Sequence, residues 1–90
     1  MSQTEDMSPV LQALFEEALK LFKQRNPVYG NTWLQEGVEG NFQDVKRKFY
    51  RLEHMMENQR DNEQDLTDKL LDLANRAVMT LYLLRLRWHK

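Results

Sequence analysis

The stretch EQDLTDKLLDLANRAVMTLYLLRLR, residues 63–87, decides the fold. Its Leu66, Leu70, Leu73, Ala77, Leu81 and Leu84 return mostly at three- and four-residue steps, which makes one stripe of an α-helix rather than the alternating face of a strand. Nearly opposite that stripe lie Asp65, Asp68 and Asp72, and further along the same opposite face lie Met79, Leu83 and Leu86. A solvated helix back stays polar to its end, so the apolar half of this face is expected to meet another surface, such as a second subunit.

Upstream, Phe42, Val45, Phe49, Leu52 and Met56 follow the same period and predict a second helix over about 42–58, which Asn41 can cap. A polar turn, Asn58 to Asn62, separates it from the third. Val10, Leu11, Leu14, Phe15, Ala18, Leu21 and Phe22 predict a first helix over about 9–25, opened by Ser8-Pro9. Asn26-Pro27 then reads as a stop, because a residue before proline avoids the helical region. Residues 26–40, closed by Gly37 and Gly40, are expected to form a long loop of the kind that often carries function. The expected architecture is all-α: a small bundle of three main helices with a long loop between helices 1 and 2. Residues 1–8 read as a loose tail and 9–88 as one domain.

The chain has 90 residues, 41% apolar and 30% charged, with no cysteine. A domain this short buries only about 60–65% of the surface its unfolded chain exposes, so completion by a homodimer is expected. Without cysteine there is no disulfide, thiolate zinc site or cysteine nucleophile, which makes a cytoplasmic setting the expectation. The acidic start, with Glu5 and Asp6, is unlike a signal peptide, and the apolar run from Ala77 to Leu86 is broken by Thr80 and Arg85. No membrane partner is expected. A net charge of −1 argues against nucleic acid as a partner.

Phosphate-loop, dinucleotide and zinc-protease motifs are missing, and neither His54 nor His89 has a partner at ligand spacing. The carboxylates remain. Asp68 and Asp72 stand four apart on one helix face, and Glu53 on the second helix could join them as oxygen ligands of Mg²⁺. Acids so spaced are also common on ordinary soluble helices. Tyr29 and Trp33 could stack on a nucleobase, and Lys48 or Arg51 could meet phosphate. No residue is assigned a catalytic role from these patterns.

Four short runs add a resemblance: NPVYGNTW (26–33), GVEG (37–40), RKFYRL (47–52) and DKLLDLAN (68–75). In this order they resemble the phage and bacterial nucleotide-modification-associated domain, itself similar to the all-α MazG-like nucleotide pyrophosphohydrolases. The resemblance spans about residues 10–85. It implies a Mg²⁺-supported site for a nucleoside triphosphate or modified deoxynucleotide. Lys48 and Arg51 match the basic helix motif, Asp68 and Asp72 the acidic pair, and Tyr29 and Trp33 the loop aromatics. Two departures stand out: Lys20 where the enzymes' acidic cluster would end, and Arg76 where the pattern has tyrosine. The alternative expectation is a small phage-type protein that binds and modulates a host protein without catalysis.

Overall fold

The computed structural model describes residues 5–58 and 63–88, less the side chains of Val28 and Tyr29. The expected polar turn between the second and third helices lies largely, and the penultimate His89 wholly, outside the described residues. Three helices make up the described chain: α1 (Ser8–Tyr29), α2 (Thr32–Asn58) and α3 (Glu63–Trp88). The all-α expectation holds, and among the described residues no helix is long and apolar enough to cross a membrane.

The long loop is replaced by helix. α1 runs through Asn26 and Pro27 to Tyr29, leaving only Gly30 and Asn31 before α2. Pro27 sits in the last turn, where its missing N–H removes a single helical bond. Gly30 closes that turn: it takes φ +68° and donates its N–H to the Asn26 carbonyl at 2.6 Å. At the other end Pro9 occupies the first turn as expected, but the N-cap residue is Met7, which makes no side-chain cap bond; the Ser8 N–H donates instead to Asp6 Oδ1 at 2.9 Å. That bond holds the Asp6 carboxyl below its ordinary pKa.

α2 starts ten residues before its expected position and bends at Gly37, where φ is +76° and ψ −176°. Asn41, expected as a cap, is instead inside the helix and fully buried. Its amide donates to the carbonyls of Trp33 at 2.7 Å and Gly37 at 2.8 Å, which pins the short turn ahead of the bend. The space beside Gly37 is open enough for a methyl group, with Glu39 Oε2 at 3.9 Å. Backbone strain alone therefore opposes a side chain there. Gly37→Ala is expected to cost about 1–3 kcal/mol, read by circular dichroism as a Tm lower by about 4–8 °C for each kcal/mol.

α3 packs against both other helices. α1 approaches at Ala18, whose small side chain is buried, and Asn75 donates to the Ala18 carbonyl at 2.7 Å. Leu52, Met55 and Leu83 complete the buried apolar set. Arg87 reaches from the end of α3 to Glu39 at 2.8 and 3.0 Å, and that hydrogen-bonded ion pair holds the Glu39 carboxyl below its ordinary pKa.

Two faces differ from expectation. Leu83 is buried and Met79 half-buried, so most of the apolar half of the acidic face packs within the chain, while Leu86 at its end is 47% exposed. The leucine stripe read as the core of α3 is only partly covered: Leu66, Leu73 and Leu84 are half-buried, whereas Ala77 is exposed, Leu70 54% and Leu81 45%. The physical reason is that the face carrying Asp72, Asn75 and Arg76 finds specific polar partners on α1 and α2, which a leucine stripe could not supply.

Candidate functional site

Where the three helices meet, a cavity of about 260 Å³ opens. α1 contributes Arg25 and Asn26, α2 contributes Trp33, Glu36, Asp44 and Lys48, and α3 contributes Asp72, Asn75, Arg76 and Met79. The bend at Gly37 is what brings Trp33 to this cleft, since the turn before it is held by Asn41. Arg76 Nη1 donates in turn to Asn41 Oδ1 at 3.0 Å, linking the bend to α3.

Three cations and three acids share the lining, so the cleft is formally neutral and internally paired. Lys48 Nζ donates to Asp72 Oδ2 at 2.7 Å and lies 3.6 Å from Asp44 Oδ2. Arg76 Nε is 2.7 Å from that same Asp44 oxygen, an ion-pair contact outside hydrogen-bond alignment. Arg25 Nη1 is 3.6 Å from Asp72 Oδ1 and its side chain is 40% exposed, against 22% for Arg76. Arg25 is thus the most loosely held cation of the three. The half-exposed Arg25–Asp72 pair contributes about 1 kcal/mol at most, which leaves the Arg25 charge available to a competing anion, whereas the Lys48 and Arg76 pairs are mostly buried.

A second cavity of about 370 Å³ adjoins the first and is almost wholly apolar, lined by Phe15, Ala18, Leu19, Val78 and Tyr82 among others. Phe22, Trp33, Asn75 and Met79 belong to both. The Trp33 ring meets the edge of Tyr82 at 6.0 Å between centroids, and its buried Nε1–H has no acceptor. A buried donor without a partner is costly, so an acceptor that reached it would bind favourably.

Of the expected site residues, the structure brings together Trp33, Lys48 and Asp72. Tyr29's side chain lies outside the described residues. Arg51 is exposed on α2 and does not line the cleft. The proposed magnesium set does not assemble. Among the described residues no three His, Cys, Asp or Glu side chains stand where they could hold a metal ion. Glu53 follows Lys48 by five residues and so points about 140° away from it on α2, while Asp68 accepts a bond from Gln64 at 3.1 Å. Asp72 remains, but two cations already face it. The donor set fits an anion better than a resident Mg²⁺.

Sequence reading missed Arg25, Arg76 and Asp44. Asp44 and Lys48 stand four apart on α2 and Asp72 and Arg76 four apart on α3, a crosswise acid–base pairing that was legible once the two helices were set side by side. No protein-family model, curated protein or solved structure matches this chain.

Proposed function

We propose that the cleft binds a nucleotide, with its phosphates toward Arg25, Lys48 and Arg76 and its base in the apolar cavity beside Trp33. One observation carries the reading: each of the three helices delivers one cation to a single cleft that opens onto an aromatic, apolar space. Guanidinium groups match phosphate oxygens in pairs, and a lysine adds a point charge. The resemblance to nucleotide-modification-associated and MazG-like domains points the same way, and a cytoplasmic nucleotide pool would supply the ligand. The proposal is of binding. Whether a triphosphate is hydrolysed depends on metal chemistry that the paired carboxylates do not themselves provide.

Trp33 supplies the test. In a Trp88→Phe background it is the sole tryptophan, and titration with nucleoside and deoxynucleoside triphosphates, with and without Mg²⁺, should change its emission saturably. Arg25→Ala is expected to weaken binding about tenfold while leaving the melting curve nearly unchanged, since the residue is half exposed and its pair is long. No binding across the set would end the proposal. A second reading, a small protein that modulates a host partner, draws on the large apolar side chains left exposed on all three helices. It requires that activity in the host survive Arg25→Ala combined with Lys48→Ala.

A further inference from the structure

Asn41, Asp44 and Lys48 recur at three- and four-residue steps and so lie along one face of α2. Asp72 and Arg76 stand four apart on α3 and meet that face. Arg76 is held there from two directions. Its Nη1 donates to Asn41 Oδ1 at 3.0 Å and its Nε lies 2.7 Å from Asp44 Oδ2, whereas Nη2 has no partner among the described residues. A guanidinium carries its five N–H donors in one plane. Contacts at Nε and Nη1 therefore fix that plane and leave Nη2 for a ligand in the cleft that Arg76 lines.

The two acids that face these cations differ in access. Asp44 Oδ2 is closed to water and accepts no hydrogen bond; its charge is met by Arg76 Nε and, at 3.6 Å, by Lys48 Nζ. The Asp72 side chain is 27% exposed, where an arriving anion can compete with it. Among the cations, Arg76 is 22% exposed and doubly held, while Arg25 is 40% exposed and has one long pair. We infer that Asn41 and Asp44 are positioning residues, which together hold Arg76 as a rigid fork aimed at a phosphate group. Two oxygens on one tetrahedral centre match such a fork, whereas Arg25 supplies a mobile charge. Ordering of the long Arg76 side chain is then complete on folding and does not oppose binding. The inference rests on the phosphate half of the nucleotide reading and makes no use of the base.

Inorganic tripolyphosphate is the probe, titrated by calorimetry into the full chain. Arg76→Lys keeps the charge and loses the fork, and is expected to weaken binding about tenfold. Arg47→Lys makes the same exchange at an exposed residue outside the cleft that also meets Asp44, and should leave the affinity at its wild-type value. In an Asp44→Asn background an oxygen still faces Arg76 Nε, so the cost of Arg76→Lys should persist. In an Asp44→Ala background it should fall below about threefold. Each ratio is taken within one background, so the effect of the lost carboxylate charge cancels. Circular dichroism melts accompany every variant: a role in folding alone lowers the Tm of Arg76→Lys and leaves its affinity unchanged. Wild-type affinity in Arg76→Lys, or an equal loss in the Asp44→Ala background, overturns the inference. So does a wild type that fails to bind tripolyphosphate, in which case titration with nucleoside triphosphates decides the nucleotide reading separately.

Discussion

Asn41→Leu is expected to lower stability by about 3 kcal/mol, the largest loss from any single substitution outside the apolar core. Asn41 is fully buried, and its amide joins three partners that have no obvious substitute: the Trp33 and Gly37 carbonyls and the Arg76 guanidinium. Leucine has the same branching with bulkier methyl ends, so the cost is not a cavity. It is the desolvation of polar groups left without partners, about 1–3 kcal/mol for each one fully orphaned. Against a total stability of roughly 5–15 kcal/mol for a domain, that is a large fraction. Urea denaturation measures it. Pairing the change with Arg76→Met in a double-mutant cycle should give a combined loss smaller than the sum, because both substitutions break the same bond. Additive losses would show that the Asn41–Arg76 contact carries no energy. The same variant should shift Trp33 emission, since the turn that presents Trp33 to the cleft is held by Asn41 alone among side chains with described bonds to its carbonyl.

This residue also marks where sequence reading succeeded and where it stopped. The three-helix, all-α architecture follows from apolar period, and Leu66 through Leu84 displayed it plainly. What period cannot say is which side of a helix meets its neighbour within one chain. α3 carries two faces able to pack, one of leucines and one of Asp72, Asn75, Arg76 and Leu83, and the polar one is taken internally because its partners stand at matching heights on α1 and α2. Asn41 looked like a cap because asparagine before an apolar run usually is one. Only the bend at Gly37, four residues earlier, turns its amide onto carbonyls instead. Asn26-Pro27 and the glycines read as loop signals, yet each is compatible with helix when it falls at a last turn or a bend. The cleft was legible in part. Trp33, Lys48 and Asp72 were named from residue type, whereas Arg25, Asp44 and Arg76 enter through contacts between helices that no local spacing displays.

Asp72→Asn is expected to move stability and affinity in opposite directions. In the folded chain Asp72 pairs with Lys48 at 2.7 Å and Arg25 at 3.6 Å, with about a quarter of its side chain exposed. Removing its charge weakens the tie between α2 and α3, at a cost of about 1 kcal/mol once solvent screening is allowed for. The same change frees two cations and removes a negative charge from the cleft wall. A phosphate about 8 Å from that carboxylate is repelled by about 2 kcal/mol at an effective dielectric constant of 20, part of which salt screens. Binding of a nucleoside triphosphate should therefore tighten about tenfold in Asp72→Asn, and the gain should shrink as salt is raised. A magnesium site at Asp72 demands the reverse sign, because loss of a ligand carboxylate would weaken any metal-dependent binding. Calorimetric titration of both proteins with a triphosphate, with Mg²⁺ and with chelator, separates the two: tightening that persists in chelator assigns Asp72 to restraint of the phosphate-binding cations, and weakening confined to Mg²⁺ assigns it to the metal.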